Sequence, residues 1–180
     1  MLRKTFIILA LAALLGSCQR PPKFERTHPG ERGQPPVLLD HYANKTVRPG
    51  EGWRIYLRAK DVNGDMKYIA ATLHEPGIGY YNSETYLEGK SRSEFAGYLL
   101  LETPPNLDLV TNMQTFNMKI LIRDWAGNRS ETIDLPLTFV EHVEHESLPE
   151  QWQAAVNNLL GYIDINIRTP QEMRSRPNFE

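Results

Sequence analysis

Five oxygen-bearing residues, Asp61, Asn63, Asp65, Asp124 and Asn128, fall in two glycine-containing turns, Asp61-Val62-Asn63-Gly64-Asp65 and Asp124-Trp125-Ala126-Gly127-Asn128. Carboxylate and amide oxygens are hard donors of the kind calcium selects, so these residues are the candidate calcium ligands of the chain. Their spacing is not that of an EF-hand loop, and the same side chains in turns commonly bond local backbone N–H groups instead. Apart from calcium, no cofactor is expected. The run Glu141-His142-Val143-Glu144-His145-Glu146 is the other concentration of metal-type side chains. It lacks the His-Glu-x-x-His spacing of a helical zinc site, and on an extended segment His142 and Glu144 share a face that His145 does not. It reads as a solvated linker, with a zinc-dependent enzyme as the alternative. Neither Gly-x-Ser-x-Gly nor a Gly-rich phosphate loop is present, so no nucleophile stands in an activating context and the chain is expected not to be an enzyme.

Cys18 is the only cysteine, and it follows a basic start at Arg3 and Lys4 and an apolar run from Thr5 to Leu15 that is short for a bilayer span. Basic start, apolar stretch and small residues make an export signal over residues 1–17. The sequence Leu15-Gly16-Ser17-Cys18 resembles the lipobox of bacterial lipoproteins. That resemblance implies that the thiol is acylated and becomes the mature N-terminus; the alternative is a free thiol behind a conventional cleavage site. Each buried methylene contributes about 0.8 kcal/mol and one chain alone holds weakly, so the several chains of the family imply lasting attachment. An Asp after the cysteine would resemble an inner-membrane retention signal. Gln19 stands there instead, which implies the outer membrane with the domain facing the periplasm.

Removing the leader leaves 18 basic and 22 acidic residues, a net charge of about −4. No basic stripe interleaved with aromatics occurs, so nucleic acid is not an expected partner. About 160 remaining residues suit one domain with its own core. Residues 18–36 are charged, rich in Pro and Gly and almost without aliphatic side chains, so they read as a flexible lipidated tether.

From Val37 the chain changes to short runs of period two broken by turn residues about every ten positions, which predicts an antiparallel all-β domain. Strands are expected near 37–41, 53–60, 67–73, 85–87, 94–101, 114–123 and 131–140. In the second, Trp53, Ile55, Leu57 and Ala59 point to one side while Arg54, Tyr56, Arg58 and Lys60 point to the other. The inward sets of the last two strands are Phe116, Met118, Ile120 and Ile122, then Ile133, Leu135, Leu137 and Phe139. Pro136 donates no ladder hydrogen bond and marks an edge or a bulge.

Pro36, the Val47-Arg48-Pro49-Gly50 turn, the run from Arg58-Ala59-Lys60-Asp61 to Gly64-Asp65, and Arg123 to Asn128 together resemble bacterial immunoglobulin-like or cadherin-like modules over residues 36–140. The resemblance implies two packed sheets of about seven strands and a role in binding, spacing or adhesion. In that strand order the turns at 61–65 and 124–128 share one end with the start of the first strand. The segment Glu75 to Asn82 then forms a distal loop in which Tyr80 and Tyr81 are candidate partner-binding rings; covering the open end of the sandwich is the alternative.

Beyond residue 140, Ser147-Leu148-Pro149-Glu150 resembles a capping box, and Trp152, Ala155, Val156, Leu159 and Leu160 recur at helical spacing. A helix over 148–160 is expected near the distal end, its stripe packed on the sandwich or, through Trp152, docking a partner. Alternation over 162–168 suggests an extra strand, a continued helix being the alternative, and 169–180 reads as a frayed tail. The function expected is a membrane-anchored, non-catalytic binding or accessory module for an envelope protein or cell-wall polymer. A structural subunit of an envelope complex is the alternative.

Overall fold

The computed structural model describes residues 33–167 apart from 78, 106–114, 144–146 and 166. Cys18, the expected leader, most of the expected tether and the expected tail lie outside the described residues. Among the described residues nine strands form two sheets: β1 (Val37–Ala43), β2 (Thr46–Val47), β3 (Gly52–Lys60), β4 (Met66–Glu75), β5 (Gly79–Tyr86), β6 (Glu94–Glu102), β7 (Thr115–Asp124), β8 (Ile133–Phe139) and β9 (Leu159–Tyr162). One sheet has the order β1-β3-β6-β9 and the other β2-β8-β7-β4-β5. Apart from the parallel pairs β2–β8 and β6–β9, every pairing is antiparallel. The first, third and sixth strands on one sheet, and the fourth, seventh and eighth on the other, make an immunoglobulin-like sandwich.

Alternation decides the core as expected. Trp53, Ile55, Leu57 and Ala59 from β3 meet Ile69, Ala71 and Leu73 from β4 and Phe116, Met118, Ile120 and Ile122 from β7, all buried. Pro136 lies opposite Asn117 of β7, beyond the reach of β2, which pairs only with Thr138 and Phe139. Its missing N–H therefore costs no ladder bond.

Two expectations are corrected. The segment from Glu75 to Asn82 is not a long loop. β4 and β5 stay paired from Tyr68↔Tyr86 to Glu75↔Gly79, so Tyr80 and Tyr81 lie in a strand and the reversal is confined to the few residues between. In place of a helix over 148–160 there is a 3-10 segment, Glu150–Ala155, preceded by Pro149 at the N-cap position, which supplies no side-chain cap. The chain then turns at Asn158, whose carbonyl accepts from Tyr98 N at 2.9 Å and whose Nδ2 donates to Ala96 O at 2.6 Å, and β9 begins. Asparagine favours turns and Gly161 weakens a helix, so pairing with the open edge of β6 outweighs the helical stripe.

The 3-10 segment also lies on the outer face of the four-stranded sheet instead of the distal end, packing Trp152 and Ala155 on Tyr56, Tyr42 and Tyr98. The segment after it sews the sandwich shut. Ile163 N bonds Leu100 O on one sheet, while Tyr162 O and Asp164 N bond Thr85 and Ser83 on the other. Among the described residues of the expected strand over 162–168, only Tyr162 lies in a strand; Ile163, Ile165 and Ile167 nevertheless alternate into the core, so the domain does not end at residue 140. Close approach at this seam requires Gly97: a Cβ there would lie 2.6 Å from Asn158 O.

Candidate functional site

The two glycine turns meet at one end of the sandwich because β3 ends, β4 begins and β7 ends there. One oxygen from each of Asp61, Asp65 and Asp124 lies within 4.8 Å of the others. The turn geometry comes from the sequence: Gly64 takes φ +70, which lets Gly64 N reach Asp61 O at 3.2 Å and brings Asp65 back toward Asp61. Asn63 N donates to Asp61 Oδ1 at 2.9 Å, and Asn128 donates to Asp124 through N and Nδ2, each at 2.7 Å. The same two asparagine amides hold the chain where it joins the domain, Asn63 Nδ2 to Gln34 O at 3.0 Å and Asn128 Nδ2 to Gly33 O at 3.1 Å.

These bonds leave the centre of the cluster unsatisfied. Asp61 Oδ2 and Asp65 Oδ1 are buried without a hydrogen-bond donor. Burial, then the nearness of the Asp61 carboxylate, which becomes a hydrogen bond only when a proton is shared, and the negative charges of Asp124 and Asp61 push Asp65 up to about 6. All five candidate ligands thus lie at one end. The three aspartates face each other, while the asparagines brace them and the incoming chain.

The partner-binding candidates separate. Tyr80 is 67% exposed on the outer face of β5, its ring stacked on His74 with centroids 4.6 Å apart. Tyr81 faces the other way, partly buried against the core, and its hydroxyl donates to Glu75 Oε2 at 3.0 Å. Burial pushes Glu75 up and this bond draws it partly back. Trp152 is completely buried, so it is unavailable to a partner. Strand alternation explains the first two, since adjacent residues on β5 face opposite sides.

Residue pattern did not single out the second aromatic group. Tyr86 is 56% exposed and packs on Tyr68 at 5.5 Å, and Lys67 lies 5.5 Å from the Tyr68 ring and 4.6 Å from that of Trp125, itself 50% exposed. Tyr80 and Tyr86 mark two ends of one strand face about 20 Å apart. The signal for Tyr86 was its parity with Tyr80 along β5, visible only once the strand was known to begin at Gly79.

His142 is exposed and lines a surface depression with His41 and Asp134; the rest of that run, residues 144–146, lies outside the described residues. Among the described residues Asp61, Asp65 and Asp124 are the one group of three metal-type side chains whose ligand atoms converge.

No protein-family model matches the sequence, and no curated protein matches it. Among solved structures, the chain is similar to the PKD domain of an M14-like peptidase from Thermoplasmatales archaeon SCGC AB-540-F20, at 13% identity and a TM-score of 0.40, over 60% of this chain and 98% of that one.

Proposed function

We propose that this chain is a non-catalytic envelope module, held at a membrane through acylated Cys18, that engages a partner with the outer face of its five-stranded sheet. The observation that carries the binding surface is the contrast between the two outer faces. The four-stranded sheet is covered by the chain's own 3-10 segment through Trp152 and Ala155. The five-stranded sheet presents Tyr80 and Tyr86 more than half exposed, with Trp125 half exposed in the turn at its end. Tyr and Trp rings supply large contact area at low conformational-entropy cost, which suits such a face to recognition. Anchoring is supported by the leader and by Cys18 following Leu15-Gly16-Ser17.

The test is photocrosslinking in native membranes from position 86, with position 54 on the covered sheet as control. Position 86 is expected to trap a partner, protein or cell-wall polymer, and position 54 none. Cys18→Ser is expected to release the protein from membranes into detergent-free buffer. Equal crosslinking from both positions removes the surface assignment; retention of the Cys18→Ser protein on membranes removes the anchor.

A further inference from the structure

We infer that Asp61, Asp65 and Asp124 form a divalent-cation site of the calcium type, which clamps the 61–65 and 124–128 turns together at the point where the chain joins the sandwich. Two oxygens on opposite sides of a calcium ion bound at about 2.4 Å lie about 4.8 Å apart. The three carboxylates meet that limit, since their nearest ligand atoms are all within 4.8 Å of one another. Magnesium demands rigid octahedral geometry and gives up its water reluctantly, so a partly buried set of three carboxylates suits calcium better. Zinc prefers nitrogen and sulfur donors, which this set does not contain.

A cluster of acidic turn residues alone is no site. The independent observation here is the state of the oxygens at its centre. Asp61 is only 6% exposed, and its Oδ2 has no donor; Asp65 Oδ1, also buried, has none either. The backbone and amide donors of the two turns are already spent elsewhere, Asn63 N on Asp61 Oδ1 and Asn128 on both oxygens of Asp124. Among the described residues no lysine, arginine or histidine forms an ion pair with any of the three. Two occupants can satisfy inward carboxylate oxygens in this setting: a proton shared between Asp61 and Asp65, or a cation among all three. A proton bridges only two of the carboxylates, whereas a cation engages all three, whose ligand atoms converge, so the cation is the occupant that fits the whole cluster.

The consequence of binding follows from the asparagines. Asn63 and Asn128 each bond one aspartate and also hold a carbonyl of the incoming chain, Gln34 O or Gly33 O. An ion that fixes the three carboxylates therefore fixes both braces and the first described residues of the domain. Calcium sites on extracellular modules bind in the range of about 0.1–1 mM, so this clamp answers to the calcium level outside the cell membrane and not to cytosolic signals.

The experiment is thermal unfolding of the chain purified in detergent at pH about 7.5, in chelator, in about 10 mM calcium and in about 10 mM magnesium. Calcium is expected to raise the midpoint by about 4 °C or more, and magnesium by clearly less. Asp65→Asn removes one ligand and one repelling charge, so its midpoint in chelator should equal or exceed that of the parent while its calcium response disappears. Asp124→Asn should lose the response too, and if loss of its turn bonds prevents folding, Asp65→Asn decides alone. A calcium shift under about 1 °C in the parent, or an undiminished shift in Asp65→Asn, overturns the site; equal shifts with magnesium overturn its assignment to calcium.

Discussion

The ring of Trp152 packs on that of Tyr56 with centroids 5.8 Å apart and planes tilted by 45°, joining the C-terminal segment to the outward face of a central strand. Tyr42, Tyr98, Ala96 and Leu148 complete a second, smaller core there, and Arg58 lies over the indole at 5.4 Å while donating to Gln151 O at 3.0 Å. A face patterned as solvent-exposed is thereby closed by the chain itself.

Trp152→Ala is expected to cost about 3–5 kcal/mol, read from urea midpoints, because it empties this small core. The indole Nε1 is buried without an acceptor among the described residues, so Trp152→Phe keeps a ring and removes a desolvated donor. It should cost less than half as much as the alanine change. Equal losses would mean that the nitrogen, and not the packing, holds the segment.

At Gly97 any side chain meets the backbone of the C-terminal seam, with Asn158 O at 2.6 Å and Leu160 Cγ at 2.8 Å from a Cβ. Gly97→Ala should destabilise by about 1–3 kcal/mol and make the chain after Asn158 more open to protease. Limited digestion followed by mass analysis checks the second effect.

Stability in chelator should fall as pH rises from about 4 to about 7. Burial and neighbouring carboxylates hold Asp65 up to about 6, against an ordinary value of 3.8. The folded state therefore binds that proton more tightly than the unfolded chain. The stabilisation is complete below about 3.8 and is lost as pH passes through about 6. Asp65→Asn should flatten this part of a midpoint-against-pH curve, and calcium should offset the loss above pH 6 in the parent.

Tyr81→Phe removes the hydroxyl that donates to the buried Glu75, which burial already pushes up. The expected loss is about 1–3 kcal/mol at pH 7, where the carboxylate would be left short of a donor. At pH about 4, where Glu75 carries its own proton, the loss should shrink. Urea unfolding at both pH values measures it.

Tyr80→Ala should change stability by less than about 1 kcal/mol, since its ring is 67% exposed, and Trp125→Ala, at a half-exposed ring against Lys67, by more than that. Both should weaken capture of the partner by the five-stranded face. Binding retained in the double variant would move the recognition surface elsewhere.

The β-sandwich was legible along the chain because alternation over Trp53 to Lys60, Phe116 to Arg123 and Ile133 to Phe139 is a local property, set by the two-residue period of an extended backbone. The meeting of the two Asp turns at one end was legible only with the strand order supplied by a resemblance. The fate of residues 148–160 was not. Their apolar spacing fits a helix by itself, and what cancels the helix is an unpaired strand edge at β6, brought near by folding.

By itself the sequence determined the strand faces and the turns at Gly64 and Gly127, because each depends on neighbours a few positions away. Only the tertiary structure decided which rings reach solvent, that Trp152 is buried while Tyr86 is not, and that two aspartate oxygens are left without donors. Burial and orphaned polarity are properties of the packed whole: they depend on surfaces contributed by residues far apart in the chain, and no local pattern encodes which of those surfaces will meet.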